Sequence, residues 1–307
     1  MFGSVCYTGC TLDRAPLLRR DAAWLAARRL DPCTVIIPVW QDRSFIVEGD
    51  APQAVLIKGR CCAAVVEAAE EVVLLGRDGG GAAWFAADLT AGGREAMATL
   101  AEGAIPLPLR RVGALLPPSE AAVLAYALGI LYWHRRHRFC GTCGSTTESR
   151  EAGHIRVCTG SACGAQHFPR TDPAVIMLVS RHDGEACLLA RQARWPRGMY
   201  STLAGFVEPG ESLEEAVTRE VREETGLHVS RVRYRGSQPW PFPSSIMLGF
   251  HAHTEDDAPL CIDTDELEDA QWFTRADIAA FDQRGLRLPS ADSIARRLLA
   301  EWIDGTG

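Results

Sequence analysis

The chain has 307 residues, of which 47% are hydrophobic and 23% charged, a balance that excludes wholesale disorder and fibrous repeats. A formal net charge of −7 excludes a polyanion binder working by overall attraction and leaves only a local basic patch open. The longest apolar run, residues 121–133, has 13 residues, short of the roughly 20 that a membrane-spanning helix needs.

Residues 1–16 carry no apolar core behind a basic flank, so no leader peptide is expected, and a cytoplasmic location is. Eleven cysteines are too sparse for a disulfide scaffold; four gather between positions 140 and 163, a pattern that points to metal. The other seven (Cys6, Cys10, Cys33, Cys61, Cys62, Cys187, Cys261) are expected to be reduced and mostly buried. At roughly 100–200 residues per domain, two domains or three small ones are expected.

From about residue 16 to 112 the pattern is strand-like. Residues 34–37 and 54–57 are β-rich, and 72–75 and 82–86 flank Arg77-Asp78-Gly79-Gly80-Gly81, a hairpin signal. No catalytic constellation occurs there. Pro106, Pro108, Pro117 and Pro118 close the region, and Ser119 is placed to cap a helix running to about residue 137. Beyond the cysteines, 174–180 and 186–190 read as strands, 213–225 as a helix stopped by Gly226, and 229–234 and 246–253 as strands. Thr274 with Asp277 opens another helix, and Ser290 is expected to cap the last, 291–303. Elements mixed in this order predict an α/β or α+β layer fold.

Cys140-Gly-Thr-Cys143-Gly144 is followed by Cys158 and, after four residues, by Cys163-Gly164. Two cysteine pairs on facing turns supply the four tetrahedral ligands that zinc prefers. The glycine after each pair allows a positive φ, which leaves backbone N–H groups facing the sulfurs. Redox or loosely buried thiols are the alternative. Four sulfurs close the coordination sphere, so the zinc is read as structural and His134, His137, His154 and His167 as surface residues.

Gly205 and Glu211 precede Arg219-Glu220-Val221-Arg222-Glu223-Glu224-Thr225-Gly226-Leu227. On a helix, Glu220 and Glu224 stand one turn apart, about 6 Å along the axis, with Glu223 beside them. Carboxylates on one stripe repel one another unless a cation neutralises them, and hard oxygen ligands suit Mg²⁺ or Mn²⁺. Glu211 is placed to pair with Arg219. The bland alternative is a solvated acidic helix with Glu215–Arg219 and Arg219–Glu223 pairs. Further on, Ser237-Gln238-Pro239-Trp240-Pro241-Phe242-Pro243-Ser244-Ser245 holds two aromatics among three prolines, in an expected extended conformation. That segment is either a stacking face for a flat ring or a structural loop.

Residues 205–227 match the Nudix box at every defined position, so the C-terminal part resembles a Nudix hydrolase, an enzyme cleaving a nucleoside diphosphate linked to another group. The proline-rich segment resembles the signature of the NADH pyrophosphatase branch. The cysteine ribbon, Trp133-His134 leading into Phe139-Cys140, and Ser293-Ile294-Ala295-Arg296-Arg297-Leu298 agree with it. The resemblance covers residues 130–303. It implies a Nudix α/β/α sandwich preceded by a four-cysteine zinc ribbon and a degenerate, box-less Nudix-like domain, with borders at 1–130, 131–169 and 170–307.

The resemblance further implies that Glu220, Glu224, Glu266 and the backbone carbonyl of Ala204 hold the catalytic Mg²⁺ or Mn²⁺, about two to three ions. Gln238, Pro239, Trp240, Pro241, Phe242, Pro243, Ser244 and Ser245, with Phe168, Phe206 and Ala295, would contact the dinucleotide. A homodimer is implied as well. Two departures stand out: the second cysteine pair is wide, and Gly153 occupies a position where some members carry a substrate-contacting glutamate.

The implied reaction is metal-dependent hydrolysis of NADH or NAD⁺ to AMP and (reduced) nicotinamide mononucleotide. Glu223 is the candidate general base, with Glu220 and Glu266 its rivals. A second reading is removal of an NAD cap from RNA 5′ ends, with Arg135, Arg136, Arg138 and the flanking histidines tracking the backbone; a solvated helix end is the alternative for those residues. Trp240 and Phe242 weigh against ADP-ribose or another dinucleotide as substrate, and the complete carboxylate set against a non-catalytic zinc-ribbon adaptor.

Overall fold

The computed structural model describes residues 5–29, 31–92, 97 and 101–306, so the first four residues of the N-terminal stretch read above lie outside it. Among the described residues no helix is long and apolar enough to cross a membrane. The chain divides into two compact units, one comprising Cys6–Thr171 with Trp240–Ser244, the other Met1–Val5, Asp172–Pro239 and Ser245–Gly307.

The first unit is built on a mixed sheet of β1 (Val35–Trp40), β2 (Arg43–Val47), β3 (Gln53–Ala54), β4 (Ile57–Lys58), β5 (Glu71–Arg77), β6 (Ala83–Asp88) and β7 (Ala104–Pro108). The order is β3-β2-β1-β6-β5, with β4 beside β1 and β7 beside β2; β1 and β6 run parallel. Both faces are apolar because both are covered. Ile37, Val39, Val73 and Leu75 pack on one side and Ile36, Phe45, Leu74 and Phe85 on the other. Helix α1 spans Ala22–Arg29. Helix α2 (Cys61–Ala68) covers the second face with Cys62 and Val65. Helix α3 (Pro118–Arg136) covers the first with Leu124, Leu128 and Leu131. Its N-cap is Pro117, not Ser119, because Pro118 already has the φ of a first helical residue.

The same unit holds an antiparallel ribbon of β8 (Thr147–Arg150), β9 (Ile155–Cys158) and β10 (Gln166–His167). The tip of its first hairpin docks on β5: Gly153 has φ +93° and lies against Val73, where a Cβ would fall 2.6 Å from a methyl carbon. A side chain larger than glycine therefore has no room at this position. His134 Nε2 donates to the Gly153 carbonyl at 2.7 Å, Arg156 donates to His134 Nδ1 at 2.8 Å, and His154 Nε2 donates to the Leu74 carbonyl at 2.7 Å. The surface assignment of the four histidines is thus corrected. His134 is 2% exposed, and His137, His154 and His167 are half-buried: the docking of the ribbon uses the rings of His134 and His154, while His137 Nδ1 meets the Trp133 carbonyl at 2.9 Å and His167 Nε2 the Cys140 sulfur at 3.3 Å.

The second unit contains β11 (Asp172–Arg181), β12 (Ala186–Arg191), β13 (Leu203–Phe206), β14 (Ser230–Trp240), β15 (Ser245–Thr254) and β16 (Asp269–Thr274). The order is β14-β15-β11-β12-β16, with β13 beside β11, and β11 and β15 are parallel. Alternation along β11 sends Val175, Met177 and Val179 to one core and Ile176 and Leu178 to the other. Helix α4 (Leu213–Thr225) closes the first core with Ala216, Val217 and Val221. Helices α5 (Arg275–Ala279) and α6 (Ile294–Ile303) close the second with Ile278, Ile294, Leu298 and Trp302. This is the α/β/α sandwich.

Three expectations need correction here. Helix α6 starts at Ile294 with Ser293 as its cap, the Ser293 hydroxyl accepting from Arg296 N–H, because Ser290 is taken up in a turn with its carbonyl bonded to Ser293 N–H. The proline-rich segment is not extended throughout: β14 runs on to Trp240, and residues 241–244 form a turn into β15. Of the seven cysteines outside the ribbon, only Cys62 and Cys187 are buried, while Cys33, Cys61 and Cys261 are exposed; none of the eleven cysteines forms a disulfide.

Candidate active site

Helix α4 starts with a reciprocal capping box, the Ser212 side chain accepting from Glu215 N–H and the Glu215 carboxylate accepting from Ser212 N–H. Glu215 is therefore engaged at the cap and not with Arg219. The apolar stripe of α4 faces the core, which turns the adjoining stripe of Glu220 and Glu224 toward β13, both under 9% exposed. Gly205 on β13 makes this approach possible: a Cβ there would fall 1.9 Å from the Glu220 carboxyl carbon.

Arg219 organises the rim. Its guanidinium donates to Glu211 at 2.6 and 2.9 Å, to Glu220 at 2.8 Å, to Glu223 at 2.9 Å and to the Phe206 carbonyl at 2.8 Å. These bonds hold Glu211 down at about 2, the Arg219 contact first and the Glu208 N–H second. Glu220 is raised by burial despite Arg219. Glu224 is pushed up to about 8, first by burial and then by the charges of Glu220, Glu266, Asp263 and Glu223. Its Oε2 is buried with no hydrogen-bond partner among the described residues. A buried carboxylate with an open oxygen, facing other carboxylates, is a donor set suited to a divalent cation.

The loop carrying Glu266 is tied to the end of α4, where Cys261 N–H donates to Thr225 at 2.9 Å and Asp263 N–H to Glu224 at 3.1 Å. Leu267 N–H and Asp265 N–H bond back to Asp263, at 2.9 Å to its carbonyl and 2.9 Å to its carboxylate respectively. The structure thus brings Glu220, Glu223, Glu224 and Glu266 to bear on one another through their charges. It adds Asp263, which sequence reasoning missed; its signal is an acidic residue three positions before Glu266. Glu223 is exposed and bonded to Arg219 through one oxygen. Ala204 precedes Gly205 on β13, paired with Ile176.

Among the described residues, Cys140, Cys143, Cys158 and Cys163 are the group whose ligand atoms all lie within 4.8 Å of one another; the carboxylates are not gathered so tightly. Cys140 and Cys163 sulfurs are 3.8 Å apart and those of Cys143 and Cys158 3.4 Å. Tetrahedral sulfurs about 2.3 Å from a shared zinc would stand about 3.8 Å apart. Gly144 and Gly164 take positive φ, +77° and +60°, and Thr142 and Gly160 direct N–H groups at sulfur at 3.4 and 3.3 Å.

The proline-rich segment divides in role. Gln238 is fully buried, accepting from Ile294 N–H at 2.8 Å and donating to the Asp292 carbonyl at 2.7 Å, which ties it to the segment bearing Ala295. Trp240 and Phe242 are half-buried, edge to face at 5.1 Å. Pro241, Ser244 and Ser245 are half-buried, and Pro239 and Pro243 exposed. Phe168 and Phe206 are each 60% exposed, unusual for phenylalanine and open to a flat partner. The basic cluster at the end of α3 is partly neutralised, since Arg135 pairs with Asp42 and, at 2.8 Å, with Asp88, while Arg136 stacks on Tyr132.

Comparison with known proteins bears on this arrangement. Residues 170–297 match the NUDIX domain, 33–133 the NADH pyrophosphatase-like rudimentary NUDIX domain, and 135–168 the NADH pyrophosphatase zinc ribbon domain. The chain is 43% identical over 222 residues to "NAD-capped RNA hydrolase NudC" of Mycobacterium bovis, covering 68% of this chain and 70% of that one. It is 44% identical over 198 residues to "NAD-capped RNA hydrolase NUDT12" of Macaca fascicularis and 43% identical to that of Homo sapiens. Those matches cover 61% of this chain and 43% of the primate proteins, so it spans less than half their length. The four sulfurs are accordingly the structural zinc site of the ribbon.

Proposed function

Because the chain belongs to the Nudix family, in the branch that joins a rudimentary Nudix domain and a zinc ribbon to the complete one, we propose that it hydrolyses the diphosphate bond of NADH or NAD⁺ to AMP and (reduced) nicotinamide mononucleotide. The observation that carries this reading is Glu224, buried among like charges with one oxygen unbonded, on a helix that Gly205 lets approach β13.

Glu220, Glu224, Glu266 and the Ala204 carbonyl would hold Mg²⁺ or Mn²⁺. When bound, these ions neutralise the diphosphate and act as Lewis acids toward its oxygens. The chain's own residues do the rest. Arg219 fixes Glu223 through Oε2, and the remaining oxygen, Oε1, accepts a proton from the attacking water. As the water oxygen bonds to one phosphorus, the bond from that phosphorus to the bridging oxygen breaks and releases the two mononucleotides. Phe206, beside Gly205, offers an exposed ring for stacking, and Phe168 and the segment from Pro239 to Ser245 complete the proposed dinucleotide contacts, while Gln238 and Ala295, 0% and 3% exposed, are taken up in packing.

Removal of an NAD cap from RNA by the same chemistry is the second reading, supported by the names of the relatives and not by the arginines at the end of α3, two of which are engaged with their own chain. A cytoplasmic homodimer completes the proposal; eleven cysteines without a disulfide agree with a reducing compartment.

Incubation with NADH and Mg²⁺ or Mn²⁺, with and without EDTA, followed by mass identification of products, tests the reading. AMP and reduced nicotinamide mononucleotide, abolished by EDTA, are expected. Faster cleavage of ADP-ribose than of NADH would overturn the substrate. Near-full turnover by Glu223→Gln would remove Glu223 as base, whereas Glu220→Gln should lose metal affinity and be partly rescued by excess Mn²⁺.

A further inference from the structure

One exposed arginine of the first unit has a placement that neither the zinc site nor the carboxylate helix uses. Arg110 lies on the helical turn Leu109–Val112, anchored by the buried Leu109 and Val112. Its guanidinium carbon stands 5.2 Å from the centre of the Trp240 ring and 5.8 Å from that of Phe242. Those rings are braced from behind. Tyr7, 2% exposed, meets Trp240 at 6.0 Å and Phe242 at 5.5 Å, edge-on in both cases. Tyr7 in turn lies on Gly113, where a Cβ would fall 2.6 Å from the tyrosine ring. The turn bearing Arg110 and the two rings of the proline-rich segment are therefore locked to one another.

Aromatic rings offer a nearby guanidinium no lone-pair acceptor, so its N–H fork stays available for another partner. Among the described residues no hydrogen bond or ion pair occupies that fork, in contrast to Arg135, Arg156 and Arg219, which all bond to carboxylates. The fork matches a phosphate group in geometry and charge.

We propose that Arg110 is a specificity-determining residue whose guanidinium, held over Trp240 and Phe242, takes a phosphate of the substrate other than the two of the cleaved diphosphate. The proposal rests on the reading that Trp240 and Phe242 contact the dinucleotide. On that reading the cations bind the diphosphate, and the unoccupied fork is left for a further anionic group. Such a phosphate has two sources: the ribose 2′-phosphate of NADPH, or the phosphodiester that follows an NAD cap on RNA. NADH carries neither.

The test compares kcat/KM on NADH, NADPH and an NAD-capped oligonucleotide for the wild-type enzyme, Arg110→Gln, Arg110→Lys and Trp240→Leu, with melting temperature and zinc content as folding controls. Arg110→Gln should lower kcat/KM on a phosphate-bearing substrate by about tenfold, through KM, the loss typical of one charge-assisted hydrogen bond near solvent, and leave NADH nearly unchanged. Arg110→Lys should recover part of the loss. A loss on NADPH identifies the 2′-phosphate, and a loss on the oligonucleotide alone the phosphodiester. Equal effects on all three substrates, no effect on any, or a wild-type enzyme inactive on both phosphate-bearing substrates would overturn the proposal. If Trp240→Leu leaves every substrate unchanged, the dinucleotide-loop reading itself fails; if it impairs them while Arg110→Gln is neutral, only the role of Arg110 fails.

Discussion

The two sheets of this chain are built alike and differ in what their buried charges do. Each has a parallel pair at its centre, β1 with β6 and β11 with β15, and apolar alternation toward covered faces. Helix α2, Cys-Cys-Ala-Ala-Val-Val-Glu-Ala, brings a single carboxylate, the exposed Glu67, whereas α4 brings Glu220, Glu223 and Glu224. In the first unit the buried His134 and Arg156 are paired, His134 with Gly153 and Arg156, and Arg156 with Thr147 and Glu71. In the second, Glu224 is left buried, among like charges, with an oxygen unbonded. A shared layer architecture thus says little about activity; the chemistry resides where buried charge is left incomplete.

The largest expected difference comes from matched substitutions on the two helices. Glu224→Gln should reduce turnover by at least about 100-fold, the scale of losing an electrostatic contributor to a transition state, while Glu67→Gln leaves it unchanged. In EDTA at pH 8, Glu224→Gln should instead stabilise the protein by on the order of 2 kcal/mol, since an unpaired buried charge is removed. Steady-state kinetics and melting in EDTA check both, and a fully active Glu224→Gln enzyme would erase the contrast between the helices.

Two glycines separate the units next. Gly205→Ala drives a methyl into the Glu220 carboxylate, a side chain that can swing away, so turnover should fall about 100-fold with little change in melting. Gly153→Ala meets Val73 and a φ of +93°, so it should cost about 1–3 kcal/mol of stability with kcat retained at permissive temperature. Reversal of the two patterns would assign the glycines the wrong roles.

The smallest effect is in pH dependence, where the units should slope in opposite directions. Burial holds His154 down at about 4 against an ordinary 6.5, so the unfolded chain binds more protons between those values. Its contribution, at most on the order of 3 kcal/mol, is complete above pH 6.5 and is lost as pH falls toward 4. Glu224 is raised to about 8 from 4.5, so the metal-free second unit loses stability as pH rises through that window. Calorimetry in EDTA across pH 4–8 should show the two trends, and His154→Gln should flatten the acidic one.

Much of the site was legible because helical spacing is local. Arg219, Glu220, Glu223 and Glu224 fall on adjoining stripes of one helix, and Gly226, at φ +75°, ends it where the pattern places the stop. The cysteine pairs were legible for the same reason, each ligand pair being set by a short turn. Strands β13 and β16 were not recognised, since four residues around Gly205 and a segment as polar as Asp269–Thr274 carry little period-2 signal. The histidines misled because the partners of their rings, two distant carbonyls, one carbonyl of the same helix and one cysteine sulfur, leave no mark in sequence that separates them from exposed polar residues.

Composition, spacing and residue chemistry by themselves determined the layer class, the four-sulfur zinc site and the carboxylate helix, because each depends on residues within a few turns of one another. Only the tertiary structure decided that Gly205 admits Glu220 beside β13, that Asp263 joins the carboxylates, that Gly153 belongs to packing against Val73, and that Arg110 rests on Trp240 and Phe242. Those facts depend on which atoms meet across long stretches of chain, and that is set by packing and burial, which local pattern does not encode.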